Sequence, residues 1–161
     1  MKITSPRICL FEPRIPQNTG NIARSCAAYN LELDLIKPLG FSLEDKYLKR
    51  AGLDYWKYVK VNVFEGFTEY KSHFTSSRLL AFSKSANESM STFVFNKNDI
   101  LVFGREDNGL PLSIRNQCNN ILYIPMPGGV KNITEGGVRS LNLSVACGIA
   151  IYKACEQQHY F

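Results

Sequence analysis

Cysteines at C-x-x-C spacing are missing from this sequence, and its cysteine count is odd. Cys9, Cys26, Cys118, Cys147 and Cys155 are scattered, which excludes a disulfide framework and suits buried free thiols in a reducing compartment. Histidine is scarce: His73 and His159 have no partner at ligand spacing, so no metal site is expected. There is no apolar run long enough to cross a bilayer and no signal-peptide core near Met1. The expectation is a cytoplasmic protein with no membrane association. Two nucleotide-binding signatures are absent as well. No Gly-Lys-Ser/Thr follows the glycines of 128–137 at P-loop spacing, and no Gly-x-Gly-x-x-Gly follows a first strand.

What is present is an ordinary globular composition. The 161 residues are 45% hydrophobic, enough for one domain with a real core. Lysine and arginine number 19 against 14 acidic residues, a net +5 that mildly favours polyanionic partners. Strand-like runs are expected at 7–12, 33–37, 58–64, 78–82, 100–103 and 121–124. Between them, helices are expected at 22–29 (with Asn18 or Thr19 as N-cap), 43–53, 67–74, 111–118 and 140–157. Alternating strands and helices predict an α/β fold with a mainly parallel sheet flanked by helices, and 1–161 as a single domain.

Polar and small residues sit directly against two apolar elements. Gly104-Arg-Glu-Asp-Asn-Gly109 follows the run Asp99–Phe103, and Arg139-Ser-Leu-Asn-Leu-Ser144 opens the last helical run. Strand ends and helix starts dressed in this way are where α/β proteins build ligand sites. Gly104 at a strand end would let a ligand approach the backbone. Glu106 offers a carboxylate there, or serves only as a turn residue. Ser140 and Asn142 straddle a helix start, where capping is the plainer reading. Asn18 and Arg24, six residues apart across another helix start, suit a phosphate or sugar, or else are a cap and a surface arginine. The stretch Asp45–Lys57 mixes cations with aromatic rings, as RNA surfaces do; an amphipathic helix followed by packed rings fits equally.

Taken together, Glu12-Pro-Arg-Ile-Pro-Gln-Asn-Thr-Gly-Asn-Ile-Ala-Arg24, Asp45-Lys-Tyr-Leu-Lys-Arg-Ala-Gly-Leu-Asp-Tyr55, Phe103-Gly-Arg-Glu-Asp-Asn-Gly-Leu-Pro111, Ile124-Pro-Met126 and Arg139-Ser-Leu-Asn-Leu-Ser144 resemble the SPOUT superfamily of RNA methyltransferases. Within it the chain is similar to the compact tRNA 2′-O-methyltransferases that act on the wobble cytidine or uridine. It departs from them in Gly128–Val138, which is longer and richer in glycine than their usual link. The resemblance implies a C-terminal trefoil knot, a homodimer, and S-adenosylmethionine bound against Phe82, Gly104, Ile124, Met126, Ser140 and the 128–140 loop. It implies tRNA as partner, held by Lys46, Lys49, Arg50 and Arg139. The reaction needs no metal. Arg24, supplied by the partner subunit, is expected to hold the ribose 2′-oxygen. Asn18, Ser140 and Asn142 would orient the reactants, and Glu106 would fix the arginine or the loop. The alternatives are a 2′-O-methyltransferase of ribosomal RNA and a non-catalytic dimeric RNA-binding factor of the same fold.

Overall fold

The computed structural model describes residues 5–44, 46, 55–129 and 137–159. Seven strands form one sheet: β1 (Arg7–Phe11), β2 (Glu32–Ile36), β3 (Val61–Phe64), β4 (Leu79–Phe82), β5 (Glu88–Ser89), β6 (Ile100–Phe103) and β7 (Asn120–Tyr123). Their order is β3-β2-β1-β6-β4-β7-β5, and every neighbouring pair runs parallel. The three central strands read Arg-Ile-Cys-Leu-Phe, Ile-Leu-Val-Phe and Leu-Leu-Ala-Phe and are buried throughout. Such continuous apolar runs are what a parallel sheet covered on both faces requires.

The side-chain alternation sorts the core into two layers. Ile8, Leu10, Leu33, Leu35, Leu101 and Phe103 face one side, with Ile22 and Cys26 of α1 (Pro16–Ala28) and Cys147 and Ile151 of α4 (Leu143–Gln157). Cys9, Phe11, Ile36, Ile100 and Val102 face the other, under Phe67 and Tyr70 of α2 (Phe67–His73) and Ile114 of α3 (Leu112–Arg115). The α/β class and the flanking helices therefore follow the expectation. All five cysteines are free, and burial pushes the thiols of Cys118 and Cys155 up to about 11.

Four local expectations are overturned. The first helix starts at Pro16, not residue 22; its N-cap is Ile15, and Asn18 and Thr19 lie inside the first turns. Proline at the first helical position, where its missing N–H costs nothing, was the stronger signal. The expected strand 58–64 splits into a 3₁₀ turn, Trp56–Tyr58, and β3. The last helix starts at Leu143 rather than 140. The expected helix 111–118 shortens to Leu112–Arg115, with Pro111 as its N-cap, and the two-residue β5, which has no apolar signature, is an additional strand. Of the expected helix 43–53, most lies outside the described residues, as does the 130–136 path on which the implied knot depends. The two ends of that path meet in a bridge between Gly129 and Val138.

At the N-terminal edge of the sheet sits a buried ionic cluster. Arg7 donates to both carboxylate oxygens of Asp34, at 2.9 and 2.6 Å. Tyr70 and Asn62 donate to the same carboxylate at 2.7 and 2.8 Å, and Arg7 pairs with Glu32 at 2.8 Å. Asp34 is fully buried, and both of its carboxylate oxygens are hydrogen-bonded, as a buried carboxylate requires. Asp34→Ala takes away the fully buried partner of Arg7, leaving it only Glu32 at 2.8 Å, and should cost about 3 kcal/mol in urea unfolding; a loss below about 1 kcal/mol would contradict that role. Glu32 adds a pH dependence. Burial raises its pKa, but hydrogen bonds from Lys60 and Asn62 and the charge of Arg7 outweigh this and leave it below the ordinary 4.5. A depressed folded value stabilises above the unfolded pKa and is lost as pH falls through the folded one. Glu32→Gln should therefore flatten the stability curve below about pH 4.5, the ordinary value, and leave it unchanged in shape above.

Candidate active site

The carboxyl ends of the central strands are where loops must carry the chain away from the sheet, and there a crevice of about 310 Å³ opens. Its floor is apolar: Phe82 and Phe103, stacked at 4.7 Å between ring centroids, with Ile124, Met126 and Leu141 around them. Its rim is polar and mixed in charge, with Glu106, Asp107 and Ser140 beside Lys84, Arg105 and Arg115. Phe82, Gly104, Ile124, Met126 and Ser140, expected together from the sequence, line this one crevice.

The 105–109 loop folds back on itself. Arg105 and Gly109 exchange backbone hydrogen bonds at 2.9 and 3.2 Å, and Gly109 supplies the positive φ of 64° that the turn needs. The fold-back explains Gly104 differently from the expectation. A Cβ there would lie 2.1 Å from the backbone of Gly109 and Leu110, so the missing side chain makes room for the chain itself.

Glu106 reaches across to the start of α1. Its carboxylate accepts from the backbone N–H of Arg14 at 2.8 Å and of Ile15 at 2.9 Å, and from Asn18 Nδ2 at 3.5 Å. In a capping box, a glutamate three residues into the helix accepts from the N-cap N–H; here a carboxylate 91 residues away does so. Its negative charge also suits the positive end of the helix dipole. Asn18, only 7% exposed, passes the link on: its Oδ1 accepts from Asn142 Nδ2 at 3.0 Å. Asn142 in turn caps α4, its Oδ1 accepting from Ser144 N at 2.9 Å and Ser144 Oγ at 2.6 Å. Glu106, Asn18 and Asn142 thus form one network. Within one subunit, Glu106 ties the loop after β6 to the segment that begins α1.

Arg24 stands apart from this network. It is exposed on α1, does not line the crevice, and stacks on Tyr55 with its guanidinium carbon 4.5 Å from the ring centroid. Lys46 is exposed beside Glu44, 3.6 Å away, and Arg139 is exposed; Lys49 and Arg50 lie outside the described residues. Sequence reasoning missed the pairing of Glu12 with Arg105 at 3.3 Å and the φ of 49° at Glu12. It also missed the backbone of 14–15 as the target of Glu106; Pro16 marks those N–H groups as helix-start orphans that need an acceptor. Gly104→Ala should disrupt the loop by overpacking and cost about 1–3 kcal/mol in thermal unfolding. A variant as stable as the parent would show that the fold-back does not exclude a side chain.

The comparisons bear on what such a site does. The model of the SpoU rRNA Methylase family matches residues 5–152. A protein of Methylovorus glucosotrophus named tRNA (cytidine(34)-2'-O)-methyltransferase is 41% identical, covering 95% of this chain and 96% of its own. A Bacillus subtilis protein, 43% identical over 99% of this chain and 98% of its own, carries that name provisionally. Among solved structures, one from work on the 2-OH methylation of C/U34 on tRNA superposes with a TM-score of 0.86 at 41% identity, covering 97% of both chains. AviRb of Streptomyces viridochromogenes, solved in complex with AdoMet, shares the fold at 20% identity and a TM-score of 0.83, covering 99% of this chain and 60% of its own. Matched over nearly its whole length and alike in fold, the chain belongs to the SpoU methylase family.

Proposed function

We propose that this protein transfers a methyl group from S-adenosylmethionine to the ribose 2′-oxygen of the wobble nucleotide, cytidine or uridine, of tRNA. The observation that carries this reading is the crevice, joined by the Glu106–Asn18–Asn142 network to the start of α1. Its chemistry suits the donor: an apolar floor for a purine ring, and the exposed carboxylate of Asp107 on a rim that also carries Lys84, Arg105 and Arg115. Phe82, Gly104, Ile124, Met126 and Ser140 would hold the donor, which brings a methyl group already activated by positive sulfur. The family name carries the word rRNA, yet relatives that match at 95% or more of both lengths bear the tRNA name. That favours tRNA over ribosomal RNA.

The residues then have alignment and proton loss to manage. A ribose hydroxyl is a weak acid, and a guanidinium is a permanent cation with in-plane donors. Arg24 serves electrostatically, holding the 2′-oxygen and lowering the cost of its ionisation. Because Arg24 does not line the crevice of its own subunit, this role belongs to a homodimer in which each crevice receives the partner subunit's arginine. An apolar ridge supports that assembly: Val145, Ile149 and Tyr152 are 50%, 40% and 49% exposed at successive turns of α4. Beside them Gly148 leaves open space. Lys46, Lys49, Arg50 and Arg139 would meet RNA phosphates. Residues 1–161 act as one catalytic domain in this reading, and a cytoplasmic location follows from a tRNA substrate.

Incubation with S-adenosylmethionine and a tRNA transcript, then mass mapping of nucleosides, should find one 2′-O-methyl group at position 34. Arg24→Ala should lower kcat by about a hundredfold or more while donor affinity is kept. Absence of product at that position would reject the substrate. Lost donor binding with intact turnover per bound donor would reject the role of Arg24.

A further inference from the structure

We propose that Tyr55 is the positioning residue for Arg24, holding the guanidinium by its face so that its N–H edges stay available to substrate. This rests on the role given to Arg24 above.

An arginine on an exposed helix face has wide rotamer freedom. A catalytic arginine needs that freedom removed without its charge being neutralised. A carboxylate partner would fix the side chain but quench its field and occupy its donors. Among the described residues no carboxylate pairs with Arg24. What meets it is the Tyr55 ring, 4.5 Å from the guanidinium carbon. A ring attracts the cation through its face, and a guanidinium lying flat on it keeps its donors, which point in its own plane, clear of that contact. The ring contact therefore restrains the group, and among the described residues no hydrogen bond or ion pair occupies its donors.

Tyr55 is itself well fixed. Its carbonyl accepts from Tyr58 N at 2.9 Å, opening the 3₁₀ turn. The next residue, Trp56, packs against the core cluster beneath α1. The indole anchors the turn, and the turn delivers the phenol ring to the exposed side of α1. The Tyr55 ring is partly exposed, so the pair adds little burial to the fold.

The test is steady-state methyl transfer to tRNA by the full-length protein, with S-adenosylmethionine affinity by calorimetry and thermal midpoint measured alongside. Tyr55→Leu should lower kcat by about tenfold or more, with the KM for tRNA, the donor affinity and the midpoint nearly unchanged. Tyr55→Phe, which keeps the ring face, should restore kcat to within about twofold of the parent. Tyr55→Trp should also retain activity and serves if the leucine variant is unstable. A kcat for Tyr55→Leu equal to the parent would overturn the proposal. So would a loss that Tyr55→Phe and Tyr55→Trp share, or one that follows the thermal midpoint across the series. An inactive parent would instead strike the reading of function on which the proposal rests.

Discussion

One carboxylate ties the site together. Glu106 leaves β6 and accepts three hydrogen bonds from the segment that begins α1. Charge-assisted bonds of this kind are each worth about 1.5–3 kcal/mol net, and their loss would leave two helix-start N–H groups without an acceptor. Through Asn18 the same link reaches Asn142 and the cap of α4. Three segments distant in sequence thus share one hydrogen-bonded network, and its member Glu106 lines the crevice.

This coupling gives a division of labour. The crevice side is apolar at its floor and mixed in charge at its rim, where Glu106 and Asp107 stand among Lys84, Arg105 and Arg115. The outer face of α1 carries a cation, Arg24, stacked on an aromatic ring. One subunit does not unite the two. The exposed ridge on α4, packed beside α1, offers the surface by which a second subunit would bring them together. Both helices start at the network, so a dimer built on them would inherit its alignment.

Much of the fold was legible because apolar runs announce buried strands: β1, β4 and β6 stand out on inspection, and their continuity marks a parallel sheet. Among the crevice residues, Gly104, Glu106 and Ser140 drew notice as small and polar residues beside apolar elements, whereas Phe82, Ile124 and Met126 followed only from the family resemblance. What stayed hidden depends on distance in three dimensions. Nothing local to Glu106 says that it caps a helix 91 residues away. Gly104 looked like a concession to a ligand, when the obstacle is the backbone of Gly109. Asn18 looked like a cap because its residue type favours caps, yet Pro16 had already set the helix start. Tyr55 read as one ring in a mixed basic and aromatic stretch, and only its place over Arg24 separates it from the rest.

The central claim is that Glu106 and Asn142 act as one unit on the crevice. A double-mutant cycle on S-adenosylmethionine affinity, with Glu106→Ala, Asn142→Ala and the pair, tests it most directly. The account predicts strong coupling, about 1 kcal/mol or more, with the double variant binding little worse than the weaker single one. Losses that simply add, within about 0.3–0.5 kcal/mol, would mean that the two residues work independently and that the network does not shape the site.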